Sequence, residues 1–297
     1  MIPDSFMERD GVRYRVFFDE ATQQFESVKV APALRVFSFG GGVQSTAALV
    51  LAAQGKIDYQ TFLFCNVGAD SENPDTLRYV EEVSKPYAKT YGLELIELQK
   101  VRRSGTVDTI YSHIMRSQRS IGLPVHMSNG APGCRACTAD FKIAVCAKWL
   151  RAHGATASNP ATVGLGISLD EFHRMRNDSG IPYEKLAYPL IDLRLDRAAC
   201  LSVIRSAGLP PPPKSSCYFC PYHSRRMWQE LRDEKPDPFA KAVHLEEVIN
   251  ARRVMLGKDQ VYLSRKCKPL PMATSDHVQL SIPEFEDDLC ESGYCFV

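Results

Sequence analysis

Apolar runs of strand length alternate with amphipathic or helix-forming stretches along most of the chain. The strand-like runs are Leu34–Phe39, Thr61–Val67, Leu93–Leu98 and Thr162–Ile167. The helix-like stretches are Ala47–Ala53, Pro74–Tyr91, Val107–Gln118 and Phe141–His153. Repeated strand–helix units favour a parallel sheet, because a crossover helix returns the chain to the same edge. We therefore predict an α/β, Rossmann-like fold whose parallel sheet is flanked by helices.

Two regions lie outside this alternation. Arg13–Phe18 and Phe25–Val30 have strand composition around a polar turn, which predicts an N-terminal β-hairpin. The proline run Pro210–Pro213 is a stiff linker into a cysteine-rich C-terminal region. The expected organisation is an extension over residues 1–33, an α/β domain over 34–209, and a C-terminal region over 210–297 packed on the same domain.

A glycine loop joins the first strand of the α/β part to its first helix. It comprises Ser38, Phe39, Gly40, Gly41, Gly42, Val43, Gln44, Ser45 and Thr46. Glycines let the backbone approach an anion, and the first helical turn offers unpaired N–H groups with a positive dipole end. The spacing differs from a Walker A loop and from a dinucleotide G-x-G-x-x-G. A phosphate cradle is the functional interpretation, and an ordinary glycine turn between strand and helix is the alternative.

Two more segments are expected at the same edge as the glycine loop. Asp70 follows the second strand, and Gly166 and Ser168 lie at the end of the fourth. In a parallel sheet, ligands bind beyond the carboxyl ends of the strands. We therefore predict that Ser38, Gly40–Gly42, Gln44–Thr46, Asp70 and Gly166 contact one bound nucleotide.

Two Cys-x-x-Cys motifs form a second candidate site. They are Cys134 with Cys137, and Cys217 with Cys220. Four thiolates suit a [4Fe–4S] cluster or tetrahedral Zn²⁺. Unrelated buried cysteines are the other interpretation.

Overall composition narrows the class of protein. The chain has 297 residues, 36 Lys and Arg against 35 Asp and Glu, and ten cysteines. A net charge of +1 does not indicate nucleic-acid binding by the chain as a whole, but it is compatible with a local basic patch that binds nucleic acid. No apolar run is long enough to cross a bilayer, and the first residues lack the pattern of a secretion signal. We expect a cytoplasmic protein whose cysteines serve metal or redox chemistry, with no membrane partner.

The order of several motifs resembles one family. Residues 40–46 look like that family's PP-loop, S-G-G-x-D-S-T. Residues 133–142 resemble a second segment of the family, "CT-x-x-[LF]-K". Residues 166–174 resemble "GI-x-x-DE-x-x-R", residues 188–192 a "PL" strand, and residues 216–223 a "C-x-x-CP-[FY]" block. This is the PAPS-reductase-like branch of the PP-loop adenine nucleotide α-hydrolase superfamily, of the HUP fold type. Enzymes of DNA phosphorothioation and tRNA thiolation are relatives. Gly40 stands where that family has Ser, and Gln44 where it has Asp.

The resemblance implies roles for particular residues. The loop would hold the phosphates of ATP, and Asp70 would touch ribose or a Mg²⁺-bound water. Lys142 and Arg174 would neutralise charge on the phosphates or leaving group, while Asp170 and Glu171 would orient Arg174 or hold Mg²⁺. Asp-Glu-x-x-Arg is also an ordinary helix N-terminus. His173 and His223 are further acid–base candidates.

The implied function is adenylation of an acceptor for sulfur transfer, with a [4Fe–4S] cluster or zinc. A sulfur-donor protein and a tRNA or DNA acceptor would be partners, and an oligomer is compatible with the sequence. The tail cysteines Cys290 and Cys295 favour a second function, thiol-dependent reduction of phosphoadenosine phosphosulfate (PAPS), with Cys295 as the attacking thiol. An unimportant terminus is the other interpretation of the tail. A non-catalytic nucleotide-binding subunit of a nucleic-acid modification system is the third function, suggested by the altered loop.

Overall fold

The computed structural model describes residues 5–9, 12–29, 33–117, 122–131 and 133–275. Its strands are β1 (Ser5–Arg9), β2 (Val12–Asp19), β3 (Gln24–Lys29), β4 (Arg35–Phe39), β5 (Thr61–Cys65), β6 (Glu94–Leu98), β7 (His126–Met127), β8 (Ala161–Leu165), β9 (Glu184–Ala187) and β10 (Val261–Tyr262). Its α-helices are α1 (Val43–Ala53), α2 (Pro74–Tyr79), α3 (Lys85–Thr90), α4 (Ile110–Arg116), α5 (Ala136–Thr138), α6 (Ala144–Ala152), α7 (Pro189–Asp192), α8 (Arg197–Ser206), α9 (Arg225–Glu234), α10 (Pro236–Met255) and α11 (Leu270–Ala273). Within these ranges, no helix has the length and apolar character needed to cross a membrane.

The predicted α/β architecture is confirmed by the central sheet. Five strands lie in the order β6-β5-β4-β8-β9, and every neighbouring pair is parallel. The order reverses at β4, so the glycine loop that follows β4 lies at the switch point of the sheet. Loops diverge to the two faces there and leave a crevice, which is where open α/β sheets bind ligands.

The two faces of the sheet bury different side chains. Phe37, Phe39, Phe62 and Phe64 pack on one face with helices α1 and α8. Val36, Leu63 and Val163 point to the opposite face, where Leu150 of α6 covers them. Successive side chains of a strand alternate between faces, so Ser38 of β4 shares the α6 face with Val36.

The C-terminal region shares a third hydrophobic cluster with the α/β part. Ile110 and Ile114 of α4 belong to the same cluster as Phe219, Trp228 and Leu245. Helix α10 also contacts α4 and α9. This packing brings the segment after the proline run against the loops at the carboxyl edge of the sheet.

The predicted N-terminal hairpin is confirmed as β2 and β3, and it belongs to a three-stranded antiparallel sheet because β1 also pairs with β2. Other local predictions need correction. The expected "PL" strand at residues 188–192 is the short helix α7, with Pro189 in its first turn, where a missing N–H and a fixed φ are tolerated. The predicted long helices are interrupted by π-helical segments at Val80–Ser84 and Ala139–Ile143. Helix α4 begins late, because Thr109 caps it by accepting a hydrogen bond from Ser112 N at 3.0 Å.

Candidate functional site

The glycine loop has a backbone that side chains would disturb. Gly41 has φ +76°, and a Cβ there would lie 2.9 Å from Thr76 Cγ2. Gly42 is extended at φ −102° and forms the N-cap of α1. A Cβ at Gly42 would meet only Ser215 Cβ, at an ordinary 3.7 Å. Gly41 is therefore required by conformation and space, whereas Gly42 leaves open space over the helix N-terminus.

The hydroxyls of the loop have different surroundings. Ser45 Oγ donates to Gly42 O at 3.0 Å and accepts from Gly42 N at 3.2 Å, so it shapes the loop itself. Thr46 Oγ1 is buried and has no hydrogen-bond partner among the described residues. The N–H groups of the first turn of a helix have no intrahelical partner and carry the positive end of the dipole. The loop can therefore bind an anion chiefly through its backbone.

Gln44 and Gly166 connect the loop to the end of β8. Gln44 Nε2 donates to the hydroxyl of buried Ser168 at 3.4 Å. A Cβ on Gly166 would lie 3.4 Å from both Gln44 Cβ and Ser45 N. The glycine at 166 thus allows the β8 loop to approach the start of α1. Both residues lie at the loop, as predicted from the sequence.

A segment of the C-terminal region forms another wall of the loop. Ser215 Oγ donates to Gly40 O. The neighbouring backbone pairs with the loop after β5, through Asn73 N to Ser216 O at 3.1 Å and Tyr218 N to Ser71 O at 3.1 Å. Sequence reasoning missed Ser215 and Ser216. Their position directly before the second Cys-x-x-Cys motif was the only available signal.

Asp70 fastens two loops together at the carboxyl edge. Its Oδ1 accepts from Ser71 Oγ at 3.0 Å, and its Oδ2 accepts from Thr109 Oγ1 at 2.8 Å. Gly68, at φ +114°, makes room for this arrangement, since a Cβ there would lie 2.5 Å from Asp70 Oδ1. Both carboxylate oxygens thus already hold protein hydroxyls. The predicted ribose or magnesium contact would have to use their remaining lone pairs.

Lys142 is buried beside the same loops. It lies in the π-helical segment before α6 and is only 5% exposed. Burial raises the pKa of the Glu72 carboxyl, and the Lys142 ammonium opposes that rise. Glu72 is 1% exposed and follows Ser71, whose carbonyl oxygen accepts a hydrogen bond from Tyr218 N. The structure therefore places the predicted lysine close to a buried carboxyl group that sequence reasoning did not identify.

Glu171 and Arg174 form a buried ion pair after β8. Arg174 Nη1 lies 2.8 Å from Glu171 Oε2, and each side chain is 3% exposed. Burial raises the pKa of Glu171 to about 7, although Arg174 opposes the shift. Asp170 is exposed, and its Oδ1 accepts from Arg197 N at the start of α8, at 3.0 Å. Glu171 is thus placed to orient Arg174, whereas the hydrogen bond to Asp170 fixes the start of α8.

The four motif cysteines do not form a metal-binding group in the described part of the chain. Cys134 is exposed, whereas Cys137 and Cys217 are half-buried against the hydrophobic cluster of Phe219 and Trp228. Burial raises the pKa of Cys137, which disfavours its thiolate. No cluster of three or more His, Cys, Asp or Glu side chains with metal-binding geometry occurs in those ranges. The [4Fe–4S] or Zn²⁺ site that the two motifs predict therefore stays a prediction. Cys290 and Cys295 lie outside the described residues.

A polar cavity of about 430 Å³ adjoins the Ser215 segment. Its lining includes Lys214, Ser216, His223 and Lys235. Ser216 Oγ lies 3.1 Å from His223 Nε2. Burial, together with the positive charge of Lys214, lowers the pKa of His223 to about 3, so its imidazole is neutral at physiological pH. His223 is therefore present as the neutral imidazole beside Ser216, whereas His173 is exposed.

The chain resembles solved structures at low sequence identity. No protein-family model and no curated protein matches the chain. Among solved structures, the chain is similar to the crystal structure of phosphoadenylyl-sulfate (PAPS) reductase from Candida auris in a phosphate complex. The two share 14% sequence identity with a TM-score of 0.40, over 62% of this chain and 76% of that chain. Interpretation of the site therefore depends on its own residues.

Proposed function

We propose that the chain binds an adenosine nucleotide, ATP with Mg²⁺, through the loop Gly40–Thr46. The observation that supports this most directly is the strand–glycine–helix geometry at the switch point of the sheet. Gly41 is held at positive φ, and Gly42 leaves the first turn of α1 open to a ligand. An anion at a helix N-terminus gains both hydrogen bonds and the favourable end of the helix dipole.

The proposed reaction is adenylation followed by sulfur transfer. An oxygen of the acceptor attacks the α-phosphorus, the bond between the α- and β-phosphates breaks, and pyrophosphate leaves. A sulfur nucleophile then displaces AMP. The loop would bind the departing pyrophosphate, and the buried positive charges of Lys142 and Arg174 would stabilise negative charge that grows in the transition state. Asp70 would meet Mg²⁺ or its water through the lone pairs that Ser71 and Thr109 leave unused, and no step here depends on a metal cluster.

Partners of this reaction remain proposals from the sequence resemblance. The acceptor would be tRNA or DNA, and a donor protein would supply sulfur. A basic group near the site is compatible with a polyanion: half-buried Arg102 and exposed Arg116 both contact the carboxylate of buried Asp108, at 2.8 and 2.9 Å. Arginines fixed by a carboxylate present their remaining N–H groups in a set orientation, which suits phosphate.

PAPS reduction is the alternative function, supported by the tail cysteines. The same loop would then hold a phosphosulfated adenosine, and Cys295 would attack its sulfur. The two functions differ in their products. Adenylation gives AMP and pyrophosphate from ATP, whereas reduction gives sulfite from PAPS without ATP.

Binding and turnover together test the proposal. Wild-type protein and Gly42→Val should be titrated with ATP and PAPS by calorimetry, with circular dichroism to confirm folding. We expect ATP binding that Gly42→Val abolishes. Equal ATP affinity in a folded Gly42→Val protein would exclude the loop as the site. ATP binding without AMP release, when tRNA and DNA are offered with a sulfide source, would support the non-catalytic subunit instead.

A further inference from the structure

Two cysteines outside both Cys-x-x-Cys motifs lie in contact beneath the glycine-loop edge of the sheet. Cys65 is the last residue of β5, and Cys146 is on α6, on the sheet face that α6 covers. Their sulfur atoms are 3.3 Å apart. A disulfide bond is about 2.05 Å long, so the two sulfurs need to approach by little more than 1 Å. The pair is thus placed for disulfide formation.

The two thiols differ in access. Cys65 is 2% exposed, and its thiol also lies 3.6 Å from the carbonyl oxygen of Lys142. Cys146 is half-buried and lines a cavity of about 60 Å³ together with Ser38, Glu184 and Tyr188. A reagent in that cavity would therefore meet Cys146 first and Cys65 only through it.

The cavity is selective by size. A water molecule needs roughly 10–15 Å³ of such volume, so the cavity holds a few water-sized molecules. Hydrogen peroxide is of that size, whereas a tripeptide disulfide such as oxidised glutathione is much larger. The two thiols also differ in acidity, but access decides which is oxidised first, because only Cys146 lines the cavity. The hydrogen bond from Cys146 lowers the pKa of Cys65, and the same contact raises the pKa of Cys146. Cys65 is therefore the thiol that is more easily deprotonated.

We propose that Cys65 and Cys146 are a redox modification site, which hydrogen peroxide converts into a disulfide through the cavity at Cys146. In the first step, the Cys146 sulfur attacks one peroxide oxygen, the O–O bond breaks, the thiol proton leaves with the departing oxygen as water, and Cys146 becomes a sulfenic acid. In the second step, the Cys65 sulfur attacks the Cys146 sulfur, the S–O bond breaks, and the hydroxyl leaves with the proton of the Cys65 thiol as water. Two thiols lose two electrons and two protons, and one peroxide becomes two waters.

The disulfide would act on the candidate site through Lys142. Bond formation removes the Cys65 thiol that faces the Lys142 carbonyl, and it draws α6 towards the end of β5. This consequence rests on the proposed function, in which Lys142 serves the reaction. Disulfide formation itself does not depend on the proposed function, so it is measured separately.

The experiment treats the full-length reduced protein with hydrogen peroxide or with oxidised glutathione. Remaining thiols are then alkylated under denaturing conditions, and the peptides are examined by mass spectrometry. We expect peroxide to yield a linked pair of peptides containing Cys65 and Cys146, which dithiothreitol releases. Oxidised glutathione should yield at least tenfold less of the link. The exposed Cys134 reports that each oxidant was active.

Two variants provide controls. Cys146→Ser should abolish the link and leave Cys65 open to alkylation after denaturation, whereas Cys200→Ser, at another buried cysteine, should keep it. The proposal is overturned if Cys65 and Cys146 both remain alkylatable while Cys134 is oxidised. It is also overturned if Cys146 proceeds to a sulfinic acid without the link, or if glutathione oxidises the pair as fast as peroxide does. ATP affinity of the reduced protein is recorded in parallel, so failure of nucleotide binding is told apart from failure of the thiol chemistry.

Discussion

The hydroxyl of Ser215 donates a hydrogen bond to the carbonyl oxygen of Gly40, across 175 positions of sequence. Gly40 begins the glycine loop, and Ser215 belongs to the segment that follows the proline run. Beside this bond, residues 216 and 218 pair with the loop after β5. The C-terminal region is therefore part of the wall of the candidate nucleotide site.

Ser215→Ala tests that contact. Loss of the donor leaves the Gly40 carbonyl without this partner, so we expect a loss of about 1–3 kcal/mol in the free energy of unfolding. ATP affinity should also fall, because the loop loses a fixed point. Urea unfolding and calorimetry measure the two effects. Ser202→Ala is the matched control, since its exposed hydroxyl also bonds a carbonyl, that of Ala198 at 3.1 Å. Equal effects of both variants would show that Ser215 has no special role.

The two loop glycines should respond differently to substitution. Gly41→Ala is strained by positive φ and by Thr76, and we expect it to cost about 1–3 kcal/mol of stability. Gly42→Ala meets no close atom, so its melting temperature should stay near that of the wild type. ATP binding should weaken in both. Thermal melts with ATP titrations check this, and a Gly42→Ala protein that is destabilised as much as Gly41→Ala would contradict the described backbone.

Lys142→Met should slow turnover more than it weakens nucleotide binding. The change keeps the bulk of the side chain and removes a charge that would matter most as the leaving group becomes negative. We expect the rate of AMP and pyrophosphate release to fall about 100-fold, with a smaller change in ATP affinity. Lys148→Met, at an exposed position of α6, is the control. A loss confined to affinity would instead assign Lys142 to ground-state binding.

Glu171 should make stability depend on pH. Its pKa is raised from 4.5 to about 7 in the folded state, so the folded protein holds this proton where the unfolded chain has lost it. Its contribution to stability is complete below pH 4.5 and is lost as pH rises to about 7. Urea unfolding between pH 5 and pH 7.5 should show a smaller decline with pH in Glu171→Gln than in wild type. Glu230→Gln, at an exposed ion pair with Arg226, should keep the wild-type decline.

The metal prediction is decided by elemental analysis. Protein purified without oxygen should be assayed for iron and zinc, together with Cys137→Ser and Cys267→Ser. Four thiolates from the two motifs suit one [4Fe–4S] cluster or one Zn²⁺, so we expect about one equivalent of either, which Cys137→Ser loses and Cys267→Ser keeps. Wild-type protein without iron or zinc, or a Cys137→Ser protein with full metal content, would exclude the shared site.

Predictions from the sequence succeeded where the signal was local. Gly40–Gly42 between an apolar run and a helix former located the loop, and the expected positions of β4, β5, β6 and β8 agree with the structure within about two residues. Pro189 was misread because a proline suits both an extended segment and the first turn of a helix. Glu72 and Ser215 were missed, because their importance comes from partners far away in the chain. Cys65 and Cys146 belong to no sequence motif, and their contact across 81 positions has no local signature.

Local sequence signals act over only a few residues: apolar and polar positions alternate, glycines permit positive φ, and prolines end an element. The sequence by itself therefore determined the α/β class, the parallel sheet and the glycine loop. Tertiary structure alone decided which side chains meet at the carboxyl edge. It placed Ser215 on Gly40, Lys142 near Glu72 and Cys65 on Cys146. It also left the two Cys-x-x-Cys motifs without a common metal-binding group in the described ranges. The physical reason is that contacts between distant segments depend on how helices and loops pack over the sheet, and local patterns of hydrophobicity do not specify that packing.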